Sequence, residues 1–167
     1  MKNKILLSAA ILAATSSTIF AASETFQATV LPFAEPGIAE IAPLDFGSIS
    51  PASGATCTMD AGGVITSGSC SGAIAVGDVK VTGLAASTSY QLTVTGNGTT
   101  GNILNFAPSA TAADDATSTN LSDGAGESFI SDGSDIDIVV FGTITVGGTI
   151  LTAGVAATAE YTVDVSF

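Results

Sequence analysis

Apolar and polar residues alternate one by one in several short stretches of this chain. The last nine residues, AEYTVDVSF (159–167), show it most clearly. Ala159, Tyr161, Val163, Val165 and Phe167 are apolar, and Glu160, Thr162, Asp164 and Ser166 are polar. Period two predicts a half-buried β-strand. FQATV (26–30) repeats the pattern, with Phe26, Ala28 and Val30 on one face, and Pro32 and Pro36 break it. IAEIAPLDFGSI (38–49) reads as extended. ATCTMDAGGVIT (55–66) reads as a hairpin turning at Asp60-Ala61-Gly62-Gly63. AIAVGDVKVTG (73–83) reads as a strand with Gly77 as a bulge, and SYQLTVTG (89–96) alternates through Tyr90, Leu92 and Val94.

DIDIVVFGTITV (135–146) returns to strand, Gly147-Gly148 to turn, and TIL (149–151) to a short strand. Between them, 107–128 is small, polar and acidic, and predicts a loop with short strands at most. No stretch carries capped helical periodicity. The expectation is an all-β antiparallel sandwich of about seven to nine short strands.

The N-terminus changes the picture. Lys2 and Lys4 precede the apolar run ILLSAAILAATSSTIF (5–20), and Ala21 and Ala22 follow. That is the pattern of a secretory signal peptide at 1–21. Residues 22–34 then form an N-terminal extension and 35–167 the sandwich domain. No other stretch is long and apolar enough to span a bilayer, so no membrane insertion is expected after removal of the leader.

Charge narrows the partners. The 167 residues hold 15 Asp and Glu against 3 Lys and Arg. Without the leader, Lys80 alone faces all fifteen acids, a formal charge of −14. Nucleic acid needs a basic face, so it is excluded as a partner. The chain lacks His and Arg. It therefore lacks the commonest general base and metal ligand, and the bidentate anion clamp. No enzyme and no cofactor are expected. The acids of DGSDID (132–137) and ADDA (113–116) do not match the spacing of a calcium loop. Asp123-Gly124 and Asp132-Gly133 read as turns, and Asp135 and Asp137 as a wet strand face. Asp45 in LDFG reads as a turn-forming or strand-end carboxylate. Cys57 and Cys70, an even pair in an exported chain, predict one disulfide and an oxidising compartment.

Four segments in order carry a resemblance: APLDFGSI (42–49), VKVTG (79–83), ITVGGTI (144–150) and AEYTVDVSF (159–167). Together they resemble a bacterial family of secreted β domains of unknown function. Its members share LDFG-like and VGGTL-like segments and an end of the form Y-x-V-x-V-aromatic. The arrangement also resembles chaperone–usher pilin subunits. Gly154, fourteenth from the end, matches the pilin glycine. Ser166 stands where pilins carry an aromatic, and the aromatics are Tyr161 and Phe167 instead. The resemblance implies an immunoglobulin-like sandwich lacking its last strand. Gly154, Ala159, Tyr161, Val163, Val165 and Phe167 would line an acceptor groove. A neighbour's extension would fill it with Phe26, Ala28 and Val30 by donor-strand complementation. The implied partners are other copies or related subunits, a periplasmic chaperone and an outer-membrane usher. The implied place is the periplasm and then a fimbria at the cell surface. The alternative is a self-contained secreted binding module, an adhesin or matrix component, whose end strands pair within one chain.

Overall fold

Alternation of the kind seen at the C-terminus suits a strand that hydrogen-bonds edge to edge with a neighbour and turns one face to the core. A computed structural model of the chain describes Gln27 and residues 35–97, 103–148 and 151–167. The chain divides into two units, Met1–Pro32 and Phe33–Phe167. The leader expected at 1–21 lies outside the described residues, as do Phe26, Ala28, Val30 and the rest of the expected extension apart from Gln27. The second unit contains β1 (Gly37–Ala42), β2 (Ser48–Ile49), β3 (Thr56–Met59), β4 (Ile65–Gly68), β5 (Cys70–Ser71) and β6 (Gly77–Thr82). After them come β7 (Thr88–Asn97), β8 (Leu104–Ala113), β9 (Ser118–Ser122), β10 (Gly126–Ser131), β11 (Ile136–Val146) and β12 (Glu160–Ser166). All pairings are antiparallel between these strands. The protein is an all-β sandwich.

β11 is the spine of the larger sheet. One edge pairs with β8 along its whole length, from Asp137↔Ala113 to Val146↔Leu104. The other edge is shared: β6 takes Ile136–Val140 and β3 takes Gly142–Thr145. β1 lies outside β6, β4 outside β3 and β9 outside β8. The smaller sheet has the order β10-β7-β12, and β2 pairs with β5. Alternate side chains of the two sheets meet in one core: Val79 and Val81, Ile136, Ile138 and Val140, Phe106, and from the smaller sheet Tyr90, Leu92, Val94 and Phe129. On the outer face the ammonium of Lys80 lies 2.8 Å from the carboxylate of Asp137, its cross-strand neighbour.

Gly142 sits where β11 exchanges β6 for β3. Its φ is +137°, and a Cβ there would collide with the carbonyl oxygen of Ala107 on β8. Only a residue without a side chain lets β8 stay paired through this point.

Three expectations need correction. Residues 107–128 are not loop: they supply most of β8, all of β9 and the start of β10. The part of β8 inside this stretch buries Pro108, Ala110 and Ala112, whereas the large side chains that β8 buries, Leu104 and Phe106, precede it. Small apolar residues alternating with Ser and Thr give little hydrophobic contrast, and β11 and β9 on either side impose the extended form. Gly77 is not a bulge but the buried first residue of β6. A Cβ on it would come within 3.0 Å of the Tyr161 hydroxyl and 3.2 Å of Leu44. The bulge lies instead in β1, between Glu40 and Ala42. Leu151 is not in a strand, and 149–150 lie outside the described residues.

The hairpin at Asp60 forms as expected, its carboxylate accepting the N–H groups of Gly62 and Val64. Cys57 of β3 and Cys70 of β5 form a disulfide, with Cα atoms 5.8 Å apart. It ties the β2–β5 pair to the larger sheet. A loop of this size is worth about 3 kcal/mol in the chain-entropy account.

The β8–β9 turn is organised by Asp114. One carboxylate oxygen accepts the N–H groups of Ala116 and Thr117 and the Thr117 hydroxyl, and the other accepts the N–H of Asp132. Desolvation pushes this carboxyl up, but the donors outweigh it and hold its pKa below 3.8.

Two outcomes are expected. Gly142→Ala costs about 3 kcal/mol, combining backbone strain and overpacking, read as a lower urea midpoint at unchanged slope; an unchanged midpoint refutes the close-approach argument. For Asp114 the folded pKa is depressed, so its contribution is present above 3.8 and is lost as pH falls through the folded value. Asp114→Asn therefore flattens the acid limb of a stability-against-pH curve, and identical limbs would show that this carboxylate is not engaged.

Candidate functional site

The two long edges of the sandwich are finished differently. On one side the chain leaves β9 in the larger sheet and enters β10 in the smaller one. Asp123 bridges to Val94, and its carboxylate accepts the N–H of Gly96 at 2.8 Å. Gly124 donates to the carbonyl of Val94 at 2.8 Å. Leu121 and Phe129, on either side of this crossing, are buried. That edge is closed by the chain itself.

At the opposite edge stand β1 and β12. Each has one strand partner among the described residues, β6 and β7 respectively. Tyr161, Val163 and Val165 face the core, in register with Gly96, Val94 and Leu92. Val94 and Leu92 are fully buried, whereas the three β12 side chains are only half-buried. Phe167 is 79% exposed and touches Tyr90 edge-on, with ring centroids 6.2 Å apart. On β1, Ile38 lies opposite Val81 and Glu40 opposite Val79, which places both on the core side. Ile38 is nevertheless 47% exposed. The inner faces of both edge strands are thus incompletely covered.

A cleft of about 690 Å³ opens beside the start of β12, between residues 43–51 and 151–159. An aromatic chain lines it. Phe46 packs edge-on against Phe106 at 5.6 Å, and Phe106 against Tyr161 at 6.0 Å. Leu104, Ile144 and Leu151 add apolar wall.

The LDFG segment places Phe46. Asp45 pairs through its backbone with Ala75, and its carboxylate accepts the N–H of Gly47 at 2.7 Å. Gly47 has φ +68°, and a Cβ on it would meet the carbonyl oxygens of Ser71 and Ala73. Asp45 is the turn-forming carboxylate that its position predicts. The other wall is less constrained. Leu151 donates to the carbonyl of Pro51, a turn follows at Gly154 with φ +77°, and 152–158 are largely exposed.

Glu40 and Asp45 are the charged residues that line the cleft among the described residues. Burial raises the pKa of Tyr161 above 10.0, and the negative charge of Glu40 raises it further. No group of three His, Cys, Asp or Glu side chains able to hold a metal occurs among the described residues, and no helix there is long and apolar enough to cross a membrane.

Of the groove residues expected from the sequence, Tyr161, Ala159 and Gly154 come together at the cleft, and Val163 and Val165 continue along the core face of β12. Gly154 lies in the preceding turn, and Ala159 is one residue outside the strand. Phe167 is at the far end. Sequence reasoning missed Phe106, which immediately precedes the region 107–128 read as loop, and Glu40, whose inward facing depends on its pairing with Val79. No protein family, no curated protein and no solved structure matches this chain.

Because the folded pKa of Tyr161 is raised, its contribution to stability is complete below 10.0 and is lost as pH rises through the folded value. Glu40→Gln is expected to lower the Tyr161 pKa while leaving it above 10.0, since burial is the larger cause. An NMR titration of the Tyr161 ring carbon checks this; an unmoved curve would mean that the Glu40 charge does not reach the phenol.

Proposed function

We propose that this chain is an exported structural subunit of a bacterial surface filament, assembled by donor-strand complementation. The observation that carries this reading is the half-covered inner face between β1 and β12. The core is sealed by the chain at one edge and left partly open at the other. An added strand on β12 would form a backbone ladder and cover Tyr161, Val163, Val165 and Phe167.

The segment 22–34 of a second copy is the occupant. Its Phe26, Ala28 and Val30 recur at every second residue, as a groove between two sheets requires. Each large side chain buried there contributes about 1.5–3 kcal/mol. Pro32 and Pro36 end the pairing and stiffen the connection to the domain. The resemblance to pilins adds the rest of the proposal: an immunoglobulin-like arrangement, a periplasmic chaperone that covers the open edge before assembly, and an outer-membrane usher. The disulfide fits an oxidising compartment. The leader-like residues 1–21 fit export, and the acidic surface fits neither nucleic acid nor an anionic membrane.

The reading is tested by placing a charge in the donor face. Val30→Asp is expected to abolish polymerisation and to leave the melting temperature of the dilute monomer unchanged. An unpaired charge forced into an apolar groove costs several kcal/mol. Val163→Asp is expected to lower that melting temperature, because Val163 packs on the domain's own core. If Val30→Asp instead melts the dilute monomer early, the extension pairs within its own chain. The protein is then a self-contained binding module.

A further inference from the structure

Donor and acceptor strands of alternating pattern can slip by two residues without changing which face is apolar. The groove proposed above therefore needs something that distinguishes one register from the next. Its two flanking strands differ in one respect. The inner face of β12 carries Tyr161, Val163 and Val165, with Phe167 just beyond, and no charge. The inner face of β1 carries Glu40, opposite buried Val79.

The position of Glu40 is unusual for a carboxylate. It lines the cleft with the aromatic chain, and its charge acts on the Tyr161 hydroxyl. Asp45, the other acid at the cleft, is engaged by its own turn through Gly47. No hydrogen bond or ion pair among the described residues engages the Glu40 carboxylate. Lys80 pairs with Asp137 on the opposite face of the sheet, in register with Ala39 rather than Glu40. An inward-pointing charge on an edge strand also discourages indiscriminate edge pairing.

The proposed donor carries a matching feature. On the face that bears Phe26, Ala28 and Val30, the residue two positions earlier is Glu24. A slip that brought Glu24 level with Glu40 would set two carboxylates together beside an apolar wall. Like charges at an interface are a strong device against wrong pairings.

We infer that Glu40 is the specificity-determining residue of the groove: it admits a strand whose residue level with Tyr161 is neutral or basic, and so fixes the register of the incoming strand. This rests on the donor-strand reading of the same groove.

The test uses the mature chain, held dilute enough to stay monomeric, and fluorescent peptides of residues 22–34. In separate peptides a single Lys or a single Glu replaces the residue at position 24, 26, 28 or 30. Binding is measured by anisotropy to the wild type, Glu40→Gln and Glu40→Lys, each first checked for an unchanged thermal melt. One position is expected to prefer Lys over Glu by at least tenfold more than its neighbours do. That excess disappears in Glu40→Gln and reverses in Glu40→Lys. An equal preference at every position, unaltered in Glu40→Gln, reflects the overall negative charge and overturns the role of Glu40 while the acceptor groove stands. If the unsubstituted peptide does not bind, the acceptor groove itself is refuted, and the inference with it.

Discussion

The larger sheet depends on the double engagement of β11. One edge is committed to β8 over ten residue pairs, and the other is divided between β6 and β3. The division is possible because Gly142 takes a conformation closed to other residues while β8 stays close to it. The consequences reach most of the larger sheet. β1 is placed through β6, β4 through β3 and β9 through β8. The disulfide extends the same framework to β5 and its partner β2. A strand this central must be apolar on its inner face over its whole length, and Ile136, Ile138, Val140, Ile144 and Val146 meet that demand.

From this spine the contrast between the two edges follows. β9 lies next to β8 and runs on into β10, so the chain that ends one sheet begins the other, and Asp123 pins the crossing. β1 and β12 have no such connection. They belong to different sheets and are far apart in the chain. Their inner faces approach at Glu40 and Tyr161 without closing over the core. The side chains of Tyr161, Val163 and Val165 left half-covered there keep apolar area in contact with water. The acidic surface would hold any second copy of the chain away until salt screens the charges.

Part of the candidate site was legible in the residues. The alternation in 159–167 announced a strand with one apolar face, and Asp45 announced a turn. Both are local signals: one is a two-residue period, the other a carboxylate bonding to an N–H two residues on. Phe106 was not legible as a site residue, because it stands just before a run, 107–113, whose buried residues are Pro108, Ala110 and Ala112. Those small side chains suit a strand that comes into close contact with β7, where a Cβ on Gly96 would collide with the Phe106 carbonyl. Such a requirement cannot be read from the stretch itself.

The residues alone were enough for the all-β class, the strongly alternating strands among the described residues, the hairpin at Asp60 and the cysteine pair. Each rests on a periodicity, a turn residue or a count that needs no distant partner. The tertiary structure alone decided that 107–128 is mostly strand, that Gly77 serves close packing rather than a bulge, and that Glu40 faces inward beside Tyr161. Those outcomes depend on which strand lies alongside and in which register. In an antiparallel sandwich that information is held by residues tens of positions away, and a shift of one residue would have turned every one of these side chains to the other face.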